Sequence, residues 1–379
     1  MGVGDGGRIK VGALAPLSEP GVVAAGQELV AGMKLATELL NAADGPAGKR
    51  IELKVVDTRG SPAAGVDAAA RLSREGVHVL VGEFHSVVAA TVAREAEHLK
   101  VPFICASATL DAITAERSRF VFRLAPPQSY GWRIYAEFLV SLKTRHVVAA
   151  IRPDIYWASG AAILESTLAR GGAALTEIDV DPLTAAETLV AGLEALSGRN
   201  PPPDAVLLLF GYGDRLPAIL HALRIARRDL FPGRLLVGDP AGRPALPDWR
   251  QLAGVEAHGV PFLAYERPGV RTGVGRAMEA AFELEYGRRP SFVALEGYDA
   301  VLAVAAAAAL ASDDDPEALC AALREVELEG TRDRFRFSTE PTGVVHQQWR
   351  WPPVSVLCTS PSGQFDLLRE VPLDQAHPT

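Results

Sequence analysis

The chain has 379 residues, 48% of them hydrophobic and 22% charged, with a formal net charge of −8. That length exceeds what one core usually serves, so two domains are expected. The acidic balance and the scattered Lys and Arg exclude a nucleic-acid or anionic-membrane surface. The longest featureless apolar run, 300–311, falls short of a membrane span and reads as a core helix, so no direct membrane insertion is expected.

The opening MGVGDGGRIK carries no apolar h-region of a secretory leader. It also lacks the Ser or Thr that myristoylation needs at its sixth position. Two expectations stay open: a mature periplasmic form with a replaced start, or a protein that stays in the cytoplasm. Cys105, Cys320 and Cys358 are far apart and odd in number, with neither zinc spacing nor a disulfide framework.

Short apolar runs alternate with helical patterns. IKVGAL (9–14) reads as a strand, and 26–41 as a helix with Leu29, Met33, Ala36 and Leu40 on one stripe. IELKVVD (51–57) is the next strand. The helix at 61–76 has Ser61 as its N-cap, Pro62 in its first turn and Gly76 at its end. VHVLVG (77–82), a helix at 86–99 and VPFIC (101–105) follow. Near-continuous apolar strands separated by helices predict a parallel sheet covered on both faces.

After FVFRLAP (120–126) the alternation starts again, with strands expected at 145–152, 174–180, 204–211 and 234–239. Two serial sets predict two similar lobes. Helices are expected over 270–327, then strands at 334–338 and 344–353, with NPPPD (200–204) as a loop.

No GxGxxG, Walker A, HExxH or GxSxG motif is present, and the His residues show no i, i+4 metal pairing. Neither an enzyme nor a cofactor or metal is expected. In open parallel sheets, small ligands bind beyond the carboxyl ends of the strands. Ser86 follows one strand at the first turn of a helix, and Ser107 and Thr109 follow the next. Together they offer hydroxyls and helix N–H groups to one carboxylate or amide, unless they merely cap helices. His85 either donates to an anion or is a loop residue. Tyr156, Trp157 and Tyr212 follow strands of the second set, where flat side chains suit an apolar ligand part or simple loop packing. Asp239 either pairs with an ammonium group or makes a turn. Cys105 reads as a small buried hydrophobe.

The series IKVGALAPLSEPG, GKRIELKVVDTRGSPAAGVDAAARLSREGVHVLVG, VPFICASATLDAIT, FVFRLAPP and WRWPP resembles the Leu/Ile/Val-binding and amide-binding branch of type I periplasmic solute-binding proteins, in order from Ile9 to about Leu368. The resemblance implies an α/β fold of two Rossmann-like lobes joined by three crossings, a Venus flytrap that closes on a small-molecule ligand and delivers it to an ABC permease. It implies a monomer, with lobe 1 at 8–125 and 260–333 and lobe 2 at 126–259 and 334–370. The segments 1–7 and 371–379 would be flexible ends. By position, Ser86 matches the serine that bonds the ligand carboxylate. Ser107, Ala108 and Thr109 match the segment holding the same head group, and Tyr156 and Tyr212 match residues that close over it.

Three departures bear on the ligand. Amino-acid binders of this family carry an acid near the end of LLVGD to pair with the α-ammonium, and here only Asp239 is available. Thr58 and His85 stand where a cysteine pair is usual. The first-loop tyrosine is replaced by small residues within Val22 to Ala25. These point away from a simple branched amino acid and toward an aromatic carboxylate or an amide. Two rival readings are a cytoplasmic sensor of the same fold acting on a protein partner, and a dehydrogenase-like enzyme.

Overall fold

The computed structural model describes residues 7–232, 235–338, 346–349 and 352–370. The chain forms two compact units, Met1–Pro127 with Tyr265–Pro353 and Gln128–Ala264 with Val354–Thr379. It passes between them three times, after Pro127, Ala264 and Pro353.

In the first unit β1 (Arg8–Ala15), β2 (Arg50–Asp57), β3 (Val79–Gly82), β4 (Phe103–Cys105) and β5 (Val121–Arg123) form one sheet in the order β2-β1-β3-β4-β5. All its pairings are parallel. Helices α1 (Val23–Ala42), α2 (Pro62–Arg74), α3 (Ser86–Leu99) and the single-turn α4 (Ala112–Ala115) connect the strands. Ser61 caps α2, its hydroxyl accepting from the Ala64 N–H at 3.4 Å, and Pro62 occupies the first turn where no N–H is needed.

The second unit repeats the scheme with α5 (Gln128–Ser141), β6 (His146–Ile151), α6 (Ile155–Arg170), β7 (Ala174–Asp179), α7 (Ala185–Ser197), β8 (Ala205–Leu209), α8 (Leu216–Asp229), β9 (Leu236–Gly238) and α9 (Pro247–Ala253). Its parallel sheet runs β7-β6-β8-β9, with β7 half-exposed at the edge. A parallel bridge from Asp239 to Phe262 carries it on to β10 (Phe262–Ala264).

The chain then returns to the first unit as α10 (Gly273–Tyr286), α11 (Phe292–Leu310), α12 (Pro316–Glu325) and the hairpin β11 (Glu327–Glu329) with β12 (Arg334–Arg336). In the second unit β13 (Ser355–Thr359) pairs antiparallel with β10, and β14 (Phe365–Glu370) pairs antiparallel with β13. The apolar run expected at 300–311 is the end of α11. This 19-residue helix is long and apolar enough to cross a membrane, but 78% of it is buried inside the protein. It packs on α1 through two glycines. A Cβ on Gly32 would lie 1.9 Å from the Ala294 carbonyl oxygen, and one on Gly297 2.2 Å from that of Leu29.

The division differs from the expected one at every crossing, first at residues 126–127, which were expected in lobe 2 and lie in the first unit. Of the residues from 334 to 353, expected in lobe 2, the described ones, 334–338, 346–349 and 352–353, lie in the first unit. There Phe337 packs edge-on against Phe122 at 5.1 Å, Phe335 lies 5.4 Å from Trp349, and Gln348 bridges to Arg123. Residues 260–264, expected in lobe 1, lie in the second, because β10 pairs with β13. The ends at 1–6 and 371–379, and parts of the strands expected at 234–239 and 344–353, fall outside the described residues.

Candidate functional site

In each sheet the strand order reverses beside the first strand of the unit, the place where open parallel sheets in general bind ligands, at the carboxyl ends of the strands. The candidate residues of the first unit sit in the turns after β3 and β4. Ser86 opens α3, but its hydroxyl does not cap that helix. Instead Ser86 Oγ accepts from the Thr109 N–H at 3.0 Å and the Leu110 N–H at 3.3 Å. The carbonyls of the same two residues are held by Arg123, a fully buried cation at the end of β5. Its Nη1 donates to the Thr109 and Leu110 carbonyls at 3.3 and 2.8 Å, while Nε and Nη2 donate to Gln348 Oε1 at 3.2 and 2.5 Å. Arg123 is a positioning residue, and the loop from Ser107 to Leu110 is fixed before any ligand arrives.

That fixing also corrects an expectation. The loop was to present several free N–H groups, but those of Ala108, Thr109 and Leu110 are committed, the first to the Glu83 carbonyl at 3.1 Å. The donors left for an anion include the first-turn N–H groups of α3, which have no carbonyl partner within their helix, and the Ser107 hydroxyl.

Glu83, which sequence reasoning passed over, organises the turn after β3. Its Oε1 accepts from the N–H groups of Phe84 and His85, both at 2.9 Å, and its Oε2 accepts from the Thr58 hydroxyl at 2.6 Å. Complete burial pushes its carboxyl up to about 6, against those hydrogen bonds. His85 Nε2 accepts from the Val22 N–H at 2.9 Å, and burial pushes the imidazole down to about 4. His85 is therefore a neutral tie between two loops, its Nε2 spent as an acceptor and only its Nδ1–H side able to donate. Asp57 steadies the same first loop, accepting from the Ser18 hydroxyl and the Leu17 N–H at 2.5 and 2.8 Å.

Ser107 faces a second buried charge cluster. Its hydroxyl lies beside the Glu296 carboxyl on α11, yet neither Ser107 Oγ nor Glu296 Oε2 completes a hydrogen bond among the described residues. Arg332, wholly buried, donates to Glu296 Oε1, Asp299 Oδ2 and the Tyr265 carbonyl at 3.2, 3.2 and 2.9 Å. Burial pushes Glu296 up to about 7, although Arg332 lowers it.

In the second unit, Tyr156 and Trp157 form the first turn of α6, after the Asp154 cap that accepts from the Trp157 N–H at 2.8 Å. Their rings meet edge-on at 4.9 Å, and Tyr156 meets Trp132 at 5.7 Å. Tyr212, Asp239, Arg243 and Trp249 form a closed buried set. The Tyr212 hydroxyl donates to Asp239 Oδ2 at 2.6 Å and accepts from Trp249 Nε1–H at 2.7 Å. Arg243 Nε donates to the same Asp239 oxygen at 3.1 Å, and its Nη1 to the Phe210 carbonyl at 2.7 Å. The Arg243 guanidinium stacks 3.6 Å from the Tyr212 ring centre and 5.3 Å from that of Trp157. Asp239, read above as either an ammonium partner or a turn residue, is thus already neutralised from within, and its Oδ1 accepts from the Ala241 N–H at 2.9 Å as a turn residue does.

Among the described residues no group of three His, Cys, Asp or Glu lies close enough to hold a metal ion. The three cysteines are buried free thiols, and burial pushes Cys105 up to about 12.

Two α/β units of one strand order, each with its polar groups at the carboxyl edge of a parallel sheet, make the architecture of a two-lobe binding protein. The chain belongs to the periplasmic binding protein family, whose model matches residues 8–351. Members of that family are solute receptors and not enzymes. The chain is 29% identical over 177 residues to Leu/Ile/Val-binding protein homolog 3 of Brucella melitensis, an alignment covering 46% of this chain and 47% of the relative. It thus spans about half the length of the curated relatives it matches. Two solved structures share the fold throughout. The leucine-binding protein LivK of Thermotoga maritima gives a TM-score of 0.80 at 23% identity, over 97% of this chain and 99% of that one. A solute-binding protein of an R. palustris ABC transporter, in complex with benzoate, gives 0.79 at 20% identity over 96% of each.

Proposed function

We propose that this chain is the periplasmic solute receptor of an ABC importer and that its ligand is a carboxylate without an α-ammonium group, an aromatic acid before an amino acid. The loop pinned between Ser86 and Arg123, with the N-terminus of α3, takes the acidic head. The aromatic residues of the second unit close over the remainder, and closure is a population shift driven by contacts made only in the closed form. The family, the three crossings and the benzoate-bound structural relative support this reading.

The observation that carries the ligand class is the Asp239–Arg243 pair. A buried ammonium needs an unspent acid, and here Arg243 and Tyr212 take up Asp239 while the buried Arg332 pairs with Glu296 beside Ser107. A thermal-shift series with leucine, isoleucine, short amides and benzoates tests it. A ligand at a hundred times its Kd adds about 2.7 kcal/mol to stability. Benzoates should raise Tm and leucine should not. A shift with leucine alone would overturn the ligand class. Loss of uptake of the identified solute on deleting the gene checks the importer role.

A further inference from the structure

Helix α5 opens the second unit at the first chain crossing and carries two buried polar groups that nothing satisfies. Gln128 and Trp132 are both fully buried, and neither Gln128 Oε1 nor Trp132 Nε1–H has a partner among the described residues. They stand at i and i+4, hence on one face of the helix. Unpaired buried polar atoms are uncommon because each forfeits its solvation, and two on one face ask for a common partner.

The chemistry of that partner is constrained. Gln128 Nε2 donates to the Tyr156 carbonyl at 2.9 Å, which fixes the amide so that its oxygen is the unspent atom. Trp132 is held by Gly160, where a Cβ would come within 2.0 Å of the indole. The pair therefore presents one acceptor and one donor. A carboxylate cannot donate to Gln128, and an ammonium cannot accept from Trp132. A hydroxyl does both. Tyr156 and Trp157, which are partly exposed, neighbour the pair, their ring centres lying 5.7 and 6.2 Å from that of Trp132.

We infer that Gln128 and Trp132 form a specificity subsite for a hydroxyl on the body of the ligand, so that the solute is a hydroxylated aromatic acid. This rests on the receptor reading above. The test is calorimetric titration of benzoate and its three monohydroxy isomers into the wild type, Gln128→Leu and Trp132→Phe. At least one hydroxy isomer should bind tenfold or more tightly than benzoate. That advantage should fall below about twofold in either variant while benzoate affinity stays within about threefold. Terephthalate should show no such advantage. If benzoate binds but no isomer binds more tightly, or if the advantage survives both substitutions, the subsite is refuted and the receptor reading stands, with a resident water as the partner of the pair. If none of the four acids binds, the aromatic-acid reading itself fails and the subsite falls with it.

Discussion

Ser86→Ala separates a residue that touches ligand from one that builds the loop a ligand needs. The substitution removes the single oxygen that accepts from both the Thr109 and Leu110 N–H groups. Both residues are 4% exposed, so water cannot readily replace it. A buried donor left unsatisfied costs about 1–3 kcal/mol, and two together give about 2–4 kcal/mol once the loop relaxes. Arg123 still grips the carbonyls of the same residues, so the damage stays local. Hydrogen exchange reads it directly: protection of the Thr109 and Leu110 amides should fall about thirtyfold to several hundredfold while the core strands keep theirs. Affinity for the ligand should fall more than tenfold in the Ser86→Ala, Thr109→Ala double variant. Unchanged exchange at both amides would refute the assignment of Ser86 as the loop's anchor.

Glu83 and His85 titrate with opposite sign. The folded-state pKa of Glu83 is raised from 4.5 to about 6, so the wild type loses about 2 kcal/mol from this group as pH rises from 4.5 through 6. Glu83→Gln should abolish that loss in urea unfolding across this range. His85 is depressed from 6.5 to about 4; its contribution is present above pH 6.5 and lost as pH falls toward 4, and His85→Gln should flatten that limb of the same curves. Asp239→Ala strands the buried Arg243 and should cost about 3–5 kcal/mol, with Asp239→Ala, Arg243→Met recovering most of it by the same measurement.

The architecture was legible because parallel strands buried on both faces announce themselves as apolar runs. The expected helix at 86–99 is α3 to the residue, and Ser61 and Pro62 start α2 as their chemistry requires. The hydroxyl loop after VPFIC was legible too, but its wiring was not. Ser86 reaches Thr109 across 23 positions and Arg123 reaches Gln348 across 225, and local pattern carries no such pairing. Arg123 did leave a trace, a lone charge inside the apolar run FVFRLAP. Arg243 left none: in DPAGRPA it reads as a turn residue, and only the fold sets it on Tyr212 and beside Asp239. Residues 334–338 were assigned to the other lobe for a related reason, since Phe337 finds its partner Phe122 far back in sequence.

The glycine contact between α1 and α11 governs how the protein can be cut. Leu29, Met33 and Ala36 on α1 are buried, and α11, which lies against that helix, is synthesised only after residues 128–264 of the second unit. A fragment that stops before Phe292 leaves the α1 face bare and will aggregate rather than behave as an isolated lobe. The first unit is obtainable alone only by splicing 1–127 directly to 265–353, and a nascent chain must shield that same face until its last third leaves the ribosome.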